Sequence, residues 1–121
     1  MIKDYRELIV WQKADDLAHR VFDATQTFPK EYLFDLTNQL RRAALSVPTN
    51  IAEGCASSHN RELVQFINIA RRSQSETRYL LEFAKRRGLI SGAEMSDICD
   101  EIGKMLNALM ASLRRSRLAS H

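Results

Sequence analysis

Ser46 and Ser73 are the hydroxyls that could act as nucleophiles in this 121-residue chain, with Glu53 and Glu76 as the carboxylates that could serve them as bases. A serine nucleophile needs an adjacent base and an oxyanion site, and no spacing here supplies both. Metal chemistry has even less to work with. Cys55 and His59 form a C-x3-H pair, fewer ligands than the three or four that a zinc site takes. His19 and Asp23, one helical turn apart, can share a proton, and a surface hydrogen bond explains them equally well. The expectation is a protein that is not an enzyme and carries no metal or cofactor.

The other chemistry is electrostatic. Arg71, Arg72, Arg78, Lys85, Arg86 and Arg87 crowd into seventeen positions opposed only by Glu76 and Glu82. Arg71, Arg78 and Lys85 are seven residues apart and so share a helical stripe. Such an array suits a phosphate backbone, because each neutralised phosphate releases counterions, and arginine also stacks on unpaired bases. The opposing reading is a solvated helix face that binds nothing. An acidic protein partner is the alternative to nucleic acid.

Elements long enough to position these groups follow from the apolar spacing. With 45% hydrophobic residues, four glycines and two prolines, the chain is built for few, long elements. Leu8, Trp11, Ala14, Ala18, Val21, Phe22 and Phe28 recur at helical steps and predict a helix over about 5–28, closed by Pro29. Leu33, Leu36, Leu40, Ala43, Val47 and Ile51 predict a second over about 31–54, with Gly54 free to take positive φ and end it. A third, about 60–87, carries Leu63, Phe66, Ile67, Ala70, Ser73, Thr77, Leu80, Leu81 and Ala84 on its seam, and ends at Gly88. The fourth, about 92–116, starts at a capping box of Ser91 and Glu94 with Ile90 and Met95 as a hydrophobic staple. Its apolar face is Ile98, Ile102, Met105, Leu106, Leu109 and Leu113, and its tail is expected to fray past Arg117.

The fold class expected is therefore all-α: one domain over 1–121, an antiparallel up-down-up-down four-helix bundle. Pro48 has no amide hydrogen, so the Ala44 carbonyl loses its helical partner and the second helix should kink. Ser46, Asn50, Ser73 and Thr77 surround that point and are expected to hydrogen-bond the freed backbone groups and one another. Arg41 and Arg42 are expected to form ion pairs with Glu53, Glu76 or a neighbouring subunit, and Trp11 to pack in the core or an interface. The net charge of +3 suits an acidic partner without requiring one. Two isolated cysteines, no signal peptide and no apolar run near the ~18 residues of a membrane span predict a soluble, cytoplasmic protein.

Four stretches, LIVWQKADDLA (Leu8 to Ala18), FP (Phe28 and Pro29), QLRRAALSVPTNIAEG (Gln39 to Gly54) and FINIARRSQSE (Phe66 to Glu76), together resemble the small four-helix-bundle proteins encoded by intervening sequences of bacterial 23S ribosomal RNA genes. The resemblance spans nearly the whole chain. It implies a homopentameric ring around a central channel, no known enzymatic activity, and a role in binding RNA or DNA. It extends to accessory proteins of diversity-generating retroelements, which associate with a reverse transcriptase and its RNA, so a nucleic-acid enzyme joins the expected partners. One departure stands out. Where many members resemble a Gly-Ser pair, this chain has Arg72 and Ser73, which places the Arg72 side chain in a channel, an interface or water.

Overall fold

A computed structural model describes residues 4–91 and 93–119, with the side chains of 93, 94 and 117–119 outside the description. Among the described residues there are four α-helices: α1 (Ile9–Thr25), α2 (Asn38–Cys55), α3 (Asn60–Arg86) and α4 (Ala93–Ala119). α2 packs most extensively on α3, α3 on α4, and α1 on both α2 and α4, so the four surround a single apolar interior. Paired residues show that α2 and α3 run in opposite directions: Tyr32 just before α2 meets Arg87 just after α3, Ser46 meets Ser73, and Gly54 lies against Leu63 and Phe66.

Leu17, Leu40, Ile51, Ile67, Ile102 and Leu106 are almost completely buried and hold the centre. Each such side chain withdrawn from water contributes about 1.5–3 kcal/mol. The expected stripes account for most of this core, but on α1 Leu17, which was not on the expected stripe, is buried, and Phe22, which was, is exposed. α1 stops at Thr25, three residues short of Phe28: the amides of Gln26, Thr27 and Phe28 turn back to carbonyls only three residues earlier (3.3, 3.4 and 3.1 Å), and the chain then enters extended backbone at Pro29, which has no amide hydrogen. At the other end, residues 5–7 form a separate 3-10 turn capped by Asp4, and Leu8 is extended before α1 begins.

The second helix departs further from expectation. A 3-10 turn (Lys30–Tyr32) leads into a five-residue π-turn (Leu33–Thr37) before regular α2. A π-turn admits one extra residue per turn, so Leu36 and Thr37 both face inward while Leu33 and Phe34 face water. Leu33 is thereby removed from the stripe it was expected to join. Pro48 lies buried within α2, which continues past it to Cys55.

The two glycines expected to end helices behave differently. Gly88 does end α3, at φ +75°. The amides of Gly88 and Leu89 return to the carbonyls of Lys85 and Ala84 (2.9 and 3.0 Å), the paired bonds of a Schellman cap. Gly54 instead lies inside α2 without positive φ. A Cβ there would meet Leu63 Cδ1 and Phe66 Cβ at 3.0 Å, so its role is the close approach of α3. The Glu94 side chain of the expected capping box lies outside the described residues. α4 continues to Ala119, beyond the fraying expected from Arg117, whose side chain is also outside them.

Candidate functional site

The α2–α3 seam carries a small polar cluster at the level of Pro48. Ser46 Oγ and Ser73 Oγ share a hydrogen bond of 2.8 Å, Asn50 Nδ2 donates to the Ser46 hydroxyl (2.9 Å) and carbonyl (2.8 Å), and the Thr77 hydroxyl donates to the Ser73 carbonyl (2.8 Å). The side chains therefore meet one another, but the backbone acceptor taken by Asn50 belongs to Ser46 rather than to Ala44. The two hydroxyls bond each other and the Asn50 amide instead of a carboxylate, and Glu53 and Glu76 are exposed. These bonds tie α2 to α3 across the seam, and among the described residues neither hydroxyl is hydrogen-bonded to a carboxylate.

Arg41 and Arg42 diverge, as adjacent helical residues must. Arg41 Nε donates to Thr25 Oγ1 (2.7 Å) and its guanidinium lies 5.2 Å from the Phe22 ring centroid. This corrects the expected pairing of Arg41 with Glu53 or Glu76: the cation sits at the C-terminus of α1, where the helix dipole is negative, and covers an aromatic ring. Arg42 is exposed and shares a shallow groove with Gln39, Ser46, Ser73 and Glu76.

The six cations of α3 do not form one uniform face. Arg71 is half-buried, with Nη2 donating to Asn68 Oδ1 (2.9 Å) and Nε buried without a partner. Arg78 forms an ion pair with Asp100 of α4, which holds the guanidinium's pKa above its ordinary value. Arg87 reaches the Tyr32 hydroxyl at 3.3 and 3.4 Å. Arg72, Lys85 and Arg86 are exposed and have no ion-pair partner within 4.0 Å among the described residues. The expected stripe Arg71–Arg78–Lys85 is thus tied to neighbours at two of its three positions.

Several features were not anticipated. Gln74 is buried against α4, where Nε2 donates to the Cys99 carbonyl (3.0 Å) and contacts Sγ (2.9 Å) while Oε1 has no partner. Burial pushes the Cys99 thiol up to about 12. Tyr79 and Phe83 stand exposed one turn apart, ring centroids 6.4 Å from each other. Their spacing was visible in the sequence, but neither belonged to the apolar seam. His19 lies 3.6 Å from Asp15 rather than beside Asp23. Trp11 packs edge-on against Tyr5, 4.9 Å between centroids. No group of three or more His, Cys, Asp and Glu side chains among the described residues is placed to hold a metal, and no described helix is long and apolar enough to cross a membrane.

The class defined by these features is a small all-α four-helix bundle whose α2–α3 seam is locked by a hydroxyl–amide cluster. The family described as 23S rRNA-intervening sequence protein matches residues 6–108, and the chain belongs to that family. Among solved structures, a protein of unknown function from the S23 ribosomal protein family of Bacteroides thetaiotaomicron VPI-5482 is similar at a TM-score of 0.77 and 24% identity, covering 85% of this chain and 96% of that one. At that identity the likeness establishes the fold. No curated protein matches the chain.

Proposed function

We propose that the chain is a non-enzymatic, self-associating bundle that displays the cationic side of α3 to nucleic acid, or to an enzyme working on nucleic acid such as a reverse transcriptase. The observation that carries the reading is the segregation of charge: from Arg78 to Arg87, four cations face one carboxylate, Glu82, and Lys85 and Arg86 are exposed. The family's description names an intervening sequence of 23S rRNA, which is a reason to include RNA beside DNA in the test. Self-association is supported by Leu45 of α2 and Ile69 of α3, apolar side chains about half-exposed. Arg42, Arg72 and Glu76 accompany them with charges of both signs, as a contact between copies requires. The homopentamer implied by the family resemblance is the assembly expected.

Filter retention of labelled RNA and DNA across a salt series tests the binding, with light scattering on the same samples for the mass. Retention that weakens steadily with salt, by a particle of five chains, is the expected result. No retention at low ionic strength removes the nucleic-acid reading, and retention of an acidic protein alone replaces it with the protein-partner reading.

A further inference from the structure

The last turns of α3 carry more than positive charge. Tyr79 and Phe83 are 64% and 41% exposed and form a ridge of two aromatic rings. A groove of about 340 Å³ lies on one side, lined by Ser75, Arg78, Glu82 and Arg86 with the two rings. On the other, a groove of about 410 Å³ is lined by Tyr32, Asp35, Leu36, Gln39 and Arg87, again with both rings. The Tyr32–Arg87 contact draws the π-turn segment to the same end of the bundle, and there Phe34 is 88% exposed.

From this juxtaposition of exposed, mutually tilted rings and flanking guanidinium groups we infer that the ridge is a stacking platform for the unpaired bases of single-stranded nucleic acid, with Arg78 and Arg86, which line the groove beside the rings, holding the adjoining phosphates. The inference rests on the nucleic-acid reading above and narrows it to one end of one helix and to one form of ligand. The chemistry discriminates between occupants. A purely apolar partner gains nothing from the four cations among residues 78–87, and a duplex keeps its base faces stacked internally, so it can use the cations but not the rings. A single strand uses both, because every base has a π-face and every linkage a negative charge. Glu82 and Asp35, one in each groove, disfavour a phosphate directly over the ridge and leave the ring faces to the bases. Asp100 neutralises part of Arg78, so Arg86 in one groove and Arg87 in the other carry the larger share of the phosphate contact.

The test is fluorescence anisotropy with a labelled uridine 20-mer and a duplex RNA of the same length, using the full chain at low salt. The wild-type protein is expected to bind the single strand at least tenfold more tightly than the duplex. Tyr79→Ala and Phe83→Ala should each weaken single-strand binding roughly tenfold while leaving duplex binding, helical content by circular dichroism and mass by light scattering unchanged. Tyr79→Phe, which keeps the ring, should bind like wild type. Equal affinity for strand and duplex, or ring variants that bind as wild type does, overturns the platform while the broader nucleic-acid reading stands. Ring variants that fall to a single-chain mass overturn it by assigning the ridge to a contact between copies. Absence of any salt-sensitive binding by the wild-type protein overturns both.

Discussion

The outward side of α3 changes character along its length. In its first half, Ile69, Arg72 and Glu76 line one shallow groove with Ser73, and Glu76 and Ser73 line a second with Arg42 and Ser46 of α2. Charges of opposite sign are one turn apart there, and the polar atoms beneath are engaged with each other. The second half carries Arg78, Lys85, Arg86 and Arg87 around two exposed rings, with Glu82 as its carboxylate. Helical spacing is the same in both halves. Composition is what differs: a balanced, partly apolar surface suits another copy of the chain, whereas an unbalanced one with accessible rings suits a polyanion.

The largest expected effect falls on the second half. Lys85→Glu with Arg86→Glu should lower RNA affinity about a hundredfold at low salt, since both lost phosphate contacts become repulsions. Arg72→Glu should cost less than about tenfold, because Glu76 already offsets that charge. Anisotropy titrations on the two variants compare them directly, and equal losses would erase the distinction between the halves.

The first half is expected to answer in stability rather than affinity. Ser73→Ala strips Ser46 of its cross-helix partner and should destabilise the fold by about 1–3 kcal/mol in chemical denaturation, with RNA affinity unchanged. Gly54→Ala, at the end of the same seam, forces Leu63 and Phe66 to yield and should cost about 1 kcal/mol by the same measurement.

The smallest effect concerns the α3–α4 seam and is sensitive to pH. In the folded protein Cys99 stays a neutral thiol well above the ordinary value near 9. The unfolded chain releases that proton first, so this contribution to stability is complete below about pH 9 and declines as pH rises from there toward about 12. Denaturant midpoints at pH 8 and pH 10 should differ accordingly, and Cys99→Ala should reduce the difference.

Much of the bundle was legible from apolar spacing alone, because helical period and burial are two views of one geometry. Leu40, Val47, Ile51, Ile67, Ile102 and Leu106 all lie where the period puts them. The π-turn was not legible, since inserting one residue into a turn leaves the composition of the stripe unchanged and only re-aims Leu33 and Phe34. Gln74 was hidden because polarity argues against burial, and its partner, the Cys99 carbonyl, exists only once α4 is packed. Arg41 was assigned to carboxylates by charge, whereas a hydroxyl and a ring brought by α1 accept it. Gly54 shows the same limit: one residue type serves both a turn and a close approach, and the neighbours decide which. For the α3 surface, the cations were apparent as a cluster, but which of them are tied to Asp100, Asn68 and Tyr32 depended on the fold.

Photocrosslinking locates the contact itself. A single-stranded RNA containing 4-thiouridine, irradiated with the 121-residue chain and analysed by mass spectrometry, should leave its adducts on the segment 78–87, with Tyr79 and Phe83 as the modified side chains. Adducts confined to the Ile69–Glu76 half, or to α1 and α4, would contradict the division of labour along α3.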